Sequence, residues 1–349
     1  IDTSMLLSWT HDERRKENEM VVWPSVEYQL ATQDGWDADH AVWTSPTVDA
    51  GFRADEAIIS WNLPADVTAS WQVRPGDQWL DLAIWDAKPG SSSRRTSYSA
   101  SHGPFRVNVD TIIGSMSKLE VRATFSRPIS TDEIRVWVNF SGPAFTAPLP
   151  DKPAVGDNLV GIAAQVKPLS QRELAHRTDL GGSGKAWCAA TSLTMVCLAY
   201  GVDIPTDSPE PQGDPRVAWV ASRVWDSSYD GTGNWVFNAA LAGTFGLSAR
   251  VVRLRSLDDM ATFTSAGTPL ICSLRFHKDE MPGADYSTAG HLLVVLGLTP
   301  NGDVRVADPA CTTPQKGLRT YPRESFDRAW RRSRRSVIIV ERSSHDRCH

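Results

Sequence analysis

Along the first 150 residues, apolar and polar positions alternate in short runs of period two, the pattern of half-buried strands. Residues 57–61 (AIISW), 70–73 (SWQV) and 79–85 (WLDLAIW) are brief β-type runs, and residues 118–125 and 134–138 alternate strictly. Turn-rich pieces such as 89–93 (PGSSS) separate them, and no strong helical period competes. Several short strands at this spacing predict an all-β sandwich or jelly roll.

The pattern then breaks. Residues 143–157 hold Pro143, Pro148, Pro150 and Pro153 without any periodic apolar positions. Proline biases its neighbours toward extended backbone and cannot sustain a helix, so this stretch reads as a linker. The expected division is a β-rich accessory domain over 1–147, a Pro-rich linker over 148–158 and a second domain over 159–349. A length of 349 residues suits two domains. Beyond the linker the texture is mixed. Residues 188–200 place Leu193, Val196, Cys197 and Tyr200 at helical spacing before a stop at Gly201. Residues 234–245 and 323–331 predict two further helices. Residues 251–252, 270–272 and 337–340 read as buried strands, and 292–298 with 303–307 flank Asn301-Gly302 as a hairpin.

Composition narrows the classes. Hydrophobic residues make up 41% and charged residues 22%, which excludes a collagen-like or disordered chain. No apolar run approaches the ~20 residues that span a bilayer, so no membrane span is expected. A net charge of -5 argues against a nucleic-acid partner. The short basic cluster of Arg331, Arg332, Arg334 and Arg335 is expected on a solvated helix end.

Tryptophan and cysteine are distributed in opposite senses. Nine of the 14 tryptophans precede position 150, and most are expected to fill the sandwich core, although exposed indoles could stack on sugars. All five cysteines (Cys188, Cys197, Cys272, Cys311 and Cys348) fall in the second half. An odd count leaves one thiol unpaired, and no Cys-x-x-Cys occurs. Cys188 follows Gly181-Gly182-Ser183-Gly184 and opens a helix, where the exposed amides favour thiolate. It is either a nucleophile or a small hydrophobe packing the helix start. Cys197, Cys272 and Cys311 lie in apolar or strand contexts and read as packing, and Cys348 sits in a polar tail.

A thiolate needs a base, and the base an orienting group. Of eight histidines, His291 opens a buried strand and follows Gly290, which leaves room for approach. Asp308 ends the return strand of the same hairpin. With Asn301-Gly302 as its centre, Asp308 faces Val295, on the same side as His291 but about 13 Å along the strands at ~3.3 Å per residue. A bulge or a wider loop must remove that offset. A satisfied strand-edge histidine and an Asp-Pro turn are the alternatives. Acyl transfer also needs oxyanion donors. The Cys188 amide is one, and Gln171 is the candidate for the other, with Gln165 its competitor.

Rival motifs fail. Gly181-Gly182-Ser183-Gly184-Lys185 lacks the spacing and hydroxyl of a phosphate loop. His11-Asp12-Glu13 and Asp37-Ala38-Asp39-His40 do not close a metal site, so neither metal nor cofactor is expected.

The run 185–196 (KAWCAATSLTMV) resembles the cysteine signature of family thirty-nine of the cysteine peptidases, papain-like relatives of the bacteriocin-processing double-glycine leader peptidases. Residues 290–295 (GHLLVV) are similar to that family's histidine strand, 306–310 (VADPA) to its aspartate strand, and Ser170-Gln171 to its oxyanion glutamine. Residues 319–330 resemble the tail of its stand-alone bacterial members. Trp61 and Arg94-Arg95-Thr96-Ser97 resemble pieces of the β-rich domain those members often carry. Ala189-Ala190 replaces the commoner Gly-Pro or Ser-Pro, and Ala307 a frequent Asn, without removing a catalytic atom.

The resemblance implies an α+β papain-like domain, its cysteine helix packed on an antiparallel sheet. It also implies a Cys188–His291–Asp308 triad with Gln171 in the oxyanion hole, acting on a peptide or protein substrate. Transporter coupling is not expected, since no transporter domain follows. The expected activity is amide hydrolysis through a thioacyl enzyme. Acyl transfer, transglutaminase-like chemistry or deamidation on the same triad is the first alternative. A non-catalytic protein that binds glycan or cell wall through its N-terminal domain is the second. The start at Ile1 rather than Met reads as a mature or trimmed form, and export to the bacterial surface or medium is expected from the relatives.

Overall fold

The computed structural model describes residues 19–343, so Trp9, His11-Asp12-Glu13 and Cys348 lie outside the described residues. Before residue 150 the described chain is all β. Its strands are β1 (Glu19–Val22), β2 (Ser25–Gln29), β3 (Val42–Thr44), β4 (Val48–Asn62), β5 (Ala69–Arg74) and β6 (Leu80–Trp85). They continue with β7 (Thr96–Ser97), β8 (Ser101–His102), β9 (Phe105–Asn108), β10 (Thr111–Phe125), β11 (Arg135–Ser141) and β12 (Phe145–Pro148). β1 pairs with β12, and the other ten strands form one connected sheet. Its continuity runs through β10. The first part of β10 pairs with β4 and β9, and its last six residues pair with β5. Register shifts around Met116 interrupt its pairing with β4 before the β5-paired part begins at Glu120, and such irregularities bend a strand. The expected sandwich therefore has a strand common to both of its halves. Trp61 of β4 stacks on Trp71 of β5 at 4.5 Å between ring centroids, and Trp43 and Trp85 are fully buried beside them.

The second half carries α1 (Cys188–Ala199), α2 (Pro215–Val224), α3 (Trp235–Thr244), α4 (Leu257–Ser265) and α5 (Arg323–Arg331). Its strands are β13 (Leu247–Arg253), β14 (Leu270–Phe276), β15 (Thr288–Leu298), β16 (Val304–Ala307), β17 (Leu318–Tyr321) and β18 (Ser336–Arg342). They form a six-stranded antiparallel sheet in the order β13-β18-β14-β15-β16-β17. Alternate residues serve opposite faces. Ile271, Val294 and Ile338 join the core of α1 and α3, while Cys272, Leu293 and Val337 join that of α4 and α5. The sheet is thus covered on both sides. α1 is not the one-sided helix its spacing suggests, for residues 188–197 are all buried.

One apolar core passes from the N-terminal strands to α1, α2 and α3, with Phe237 of α3 against both Trp61 and Trp85. The polar contacts at this junction address an edge. β13 ends the sheet, and an edge strand presents unpaired backbone groups. Asn62 Oδ1 accepts the Ala249 amide at 3.0 Å, and its Nδ2 donates to the Ala249 carbonyl at 2.9 Å. Ser60 Oγ accepts the Val251 amide at 2.9 Å, and Asn139 Oδ1 the Arg253 amide at 3.1 Å. Side chains of β4 and β11 therefore take the place of a neighbouring strand. Gly243 makes room, since a Cβ there would lie 2.5 Å from the Asn62 Cβ. Asn62→Ala leaves a buried amide and carbonyl of β13 without partners. At about 1–3 kcal/mol each, stability should fall by roughly 2–5 kcal/mol, read as a lower midpoint in urea unfolding.

Of the basic cluster, Arg332 is exposed at the end of α5 as expected, but Arg334 and Arg335 differ. Arg335 is buried and donates to Asp327 at 2.8 Å and to the Val21 carbonyl at 2.9 Å, while Arg334 pairs with Asp55 of β4 at 2.8 Å. These guanidinium groups fasten the turn after α5 to the N-terminal half instead of facing solvent.

Candidate active site

Cys188 is the first residue of α1 and is 8% exposed. Its helix begins without a side-chain cap, so the first-turn amides remain free for an anion. The helix is fixed by its hydroxyls: Thr191 and Thr194 bond back into it, and Ser192 Oγ donates to the Leu292 carbonyl of β15 at 3.1 Å. The preceding glycines are packed rather than free. A Cβ on Gly184 would lie 1.9 Å from the Leu174 carbonyl oxygen, and one on Gly181 1.7 Å from that of Asp230. Ser183, between them, adopts φ 64° and ψ 175°, a region that side chains rarely occupy and that tends to mark functional loops.

His291 lies on β15 next to Leu292, whose carbonyl holds Ser192 of α1, and its imidazole interacts electrostatically with the Cys188 thiol. Its Nε2 is 2.9 Å from Asp308 Oδ1, which leaves Nδ1 for Cys188. The offset expected from the hairpin is removed in two steps. Thr299 and Asp303 close a three-residue loop in which Gly302 takes φ +83°, wider than a two-residue Asn-Gly turn. The ladder then slips by one residue between Val295 and Gly297, and Val294 pairs with Ala307. Continued by one residue, this register sets Asp308 opposite Leu293, not Val295. His291 is then a diagonal neighbour two positions away, about 7 Å along the strand and within reach of long side chains.

Asp308 is fully buried and uses both oxygens. Besides His291, Oδ1 accepts the Ala310 amide at 2.9 Å. Oδ2 accepts the hydroxyls of Tyr286 at 2.8 Å and Tyr321 at 2.5 Å, and Arg319 Nη1 is 3.7 Å away. The Tyr286 ring also stands edge-on to the His291 imidazole, 5.2 Å between centroids. Motif reading did not single out Tyr286 or Tyr321. The cross-strand pairing of Tyr321 with Val304 depends on β17, a strand absent from the expected elements.

The charges follow from these contacts. Burial raises the Asp308 carboxyl, but His291 and the donated hydrogen bonds outweigh it and hold the group well below the ordinary carboxylate range. Burial lowers His291, yet Asp308 and then Cys188 push it up to about 9. Burial likewise raises Cys188, and the His291 hydrogen bond and charge, with the Leu292 and Ala189 amides, bring it below its ordinary value. Cys197 is pushed up to about 12 by burial, and Cys272 and Cys311 are also raised. Cys188 alone of the four described thiols is shifted toward thiolate.

Gln171 and Gln165 part company. Gln165 is exposed, whereas Gln171 is buried and donates from Nε2 to the Lys185 carbonyl, three residues before the cysteine. Its amide donates to the Pro309 carbonyl at 3.0 Å, tying it to the Asp308 loop. Gly290 is exposed, and a Cβ there would meet nothing within 4 Å, so the approach beside His291 is open. Among the described residues no group of His, Cys, Asp and Glu side chains is arranged to hold a metal ion.

The model of the Peptidase_C39 like family matches residues 163–338, and that of the Peptidase C39 N-terminal domain matches residues 10–139. A solved structure from Bacillus anthracis, assigned as a C39-like peptidase, is 18% identical, and the match covers 56% of this chain and 100% of that one with a TM-score of 0.30. No curated protein matches the chain.

Proposed function

This chain belongs to the Peptidase_C39 like family, whose model spans just over half of it, and from that membership we propose that it hydrolyses peptide bonds through a thioacyl enzyme at Cys188. The observation that carries the reading is the continuous path from a thiol at a helix start, through His291, to a carboxylate whose oxygens both accept hydrogen bonds.

In this reading the Cys188 thiolate attacks the scissile carbonyl carbon, and the carbonyl electrons move to oxygen. The Cys188 amide and the second Nε2–H of Gln171 hold that oxyanion. As the intermediate collapses, His291 gives its Nδ1 proton to the departing amine and the thioester forms. His291 then takes a proton from water as that water attacks the thioester, and collapse releases a free carboxylic acid and returns the thiolate beside the protonated imidazole. Asp308 keeps the imidazole oriented and favours its cationic form.

The glycan-binding alternative has less support. Among the described N-terminal tryptophans none is exposed, and the ring of Trp79 has the Arg122 guanidinium 4.0 Å over it. The test is mass-spectrometric profiling of a peptide library with the wild-type protein and with Cys188→Ala. New peptide ends that depend on Cys188 support hydrolysis. Products joined to an added amine would instead support acyl transfer, and an unchanged library would refute both.

A further inference from the structure

The connection between β14 and β15 folds back onto the His291–Asp308 pair. Leu274 pairs with His291 and Phe276 with Thr288, so a step of two on β14 meets a step of three on β15. The extra residue falls just before His291, and a bulge of this kind re-aims the side chain beside it. Within the connection, the Lys278 amide donates to Ser287 Oγ at 3.0 Å and the Ala284 amide to the Met281 carbonyl at 3.0 Å. This compact course sets the Tyr286 ring against Phe276, 5.2 Å between centroids, at the margin of the apolar core under α4 and α5.

Tyr286 touches both members of the pair. Its hydroxyl donates to Asp308 Oδ2 at 2.8 Å, and its ring meets the His291 imidazole at 69° with centroids 5.2 Å apart. His291 and Asp308 are buried and Tyr286 is half-buried, so the tyrosine stands between the pair and solvent. Burial and then the Asp308 charge push the phenol far up, which keeps it a protonated donor. The adjacent Asp285 is fastened from two sides. Its Oδ2 takes Arg172 Nη1 at 3.2 Å and its Oδ1 takes Arg319 Nη2 at 3.1 Å. Arg172 follows Gln171, and its guanidinium carbon lies 5.8 Å from the Tyr286 ring centroid. Arg319 Nη1 also donates to the Tyr321 hydroxyl at 3.3 Å and to the Gly283 carbonyl at 3.5 Å. Residues 285–286 therefore join the segment that carries Gln171 to the strand beside Asp308.

We propose that Tyr286 is a positioning residue for His291, its hydroxyl fixing Asp308 and its ring keeping water off the imidazole–carboxylate pair, with Asp285 as the clasp that holds the ring there. This rests on Cys188 and His291 acting as described under the proposed function. The physical reason is dielectric, since opposite charges attract more strongly out of water. Burial alone would lower His291, and it is raised because the attraction of Asp308 exceeds that cost. Water admitted to the pair weakens both effects, so the imidazole returns downward to its ordinary value. The other groups facing the pair are Cys188 of α1 and Arg319 and Tyr321 of β17, none of which belongs to this connection.

The test compares wild type, Tyr286→Ala, Tyr286→Phe and Asp285→Asn. In each, the iodoacetamide rate at Cys188 is followed against pH, and kcat and KM are measured on a peptide that the wild type cleaves. Tyr286→Ala should bring the change near pH 9 down by about one pH unit. It should cut kcat about tenfold, the change in ion-pair equilibrium that one unit represents, and move KM less. Tyr286→Phe keeps the ring and should leave the pH change in place and recover most of kcat, because Tyr321 still donates to Asp308 Oδ2. Asp285→Asn should move the change in the same direction by less. A purely structural role would lower stability without moving this profile. An unmoved profile in Tyr286→Ala overturns the inference. Should that variant label Cys197 and Cys272 as an unfolded chain does, an unmoved profile in Asp285→Asn overturns it instead. A wild-type Cys188 that alkylates no faster than Cys311 overturns the reading beneath it.

Discussion

Alanine at Cys188 is expected to abolish amide hydrolysis, a fall of about 10⁶ in kcat, the scale seen when one member of a catalytic triad is removed. The substitution deletes the atom that forms the thioester. The imidazole, the carboxylate and the oxyanion donors stay, and binding with polarisation alone leaves roughly 10³–10⁴ over water. The fold should survive. Sγ is small, the other first-turn side chains are packed regardless of it, and α1 is anchored through Ser192 to β15. The unfolding midpoint should therefore shift by no more than a change of about 1 kcal/mol implies. Single-turnover assays with a cleaved peptide, beside urea unfolding of both proteins, read the two halves of this expectation. Hydrolysis within tenfold of wild type would remove Cys188 from the mechanism.

Asp308→Asn should lower kcat by roughly 10³, less than the ~10⁴ that the same exchange costs a serine triad by fixing the wrong tautomer. The difference lies in the starting charge. An imidazolium carries protons on both nitrogens, so an amide oxygen can still accept from Nε2. What is lost is the negative charge that outweighs burial and pushes His291 up to about 9. Without it the imidazole reverts toward neutrality, the thiol regains its proton, and less ion pair is present at neutral pH. The sign is specific. Because His291 is raised in the native protein, the variant should lose its proton at lower pH, and the alkaline limb of its kcat/KM profile should move down. A variant that loses activity but keeps the wild-type alkaline limb would mean that Asp308 acts only as a structural ligand of Tyr286 and Tyr321.

Much of the fold and of the site is legible in the sequence. Period-two alternation locates β10 and β11, brief β-type runs locate the strands around Trp61 and Trp71, the proline-rich stretch marks where the texture changes, and helical spacing with Gly201 bounds α1. The chemistry is legible where a residue type meets the end of an element or of a buried run: Cys188 at a helix start, His291 as the first buried residue of β15, Asp308 just past β16. Less was visible where function depends on registers. The His291–Asp308 pairing required a three-residue loop and a slip near Leu296, neither of which hydrophobicity encodes. Tyr286 reaches Asp308 only through the tertiary course of the chain. The helices α2 and α4 were missed although Asp214-Pro215 and Ser256 begin them with recognisable caps. Arg334 and Arg335 read as solvated because their partners, Asp55 and Val21, are distant in sequence.

The central claim is that Cys188 and His291 form an ion pair at neutral pH, and the rate of Cys188 alkylation against pH tests it most directly. An ordinary thiol ionises near ~8.5 and reacts little below pH 7. The account predicts Cys188-specific labelling at lower pH than an ordinary thiol allows and a second change as His291 loses its proton near pH 9. Cys197, Cys272 and Cys311 should stay unlabelled in the folded protein over that range. A single rise centred between pH 8 and 9, at a rate shared with Cys311, would contradict it.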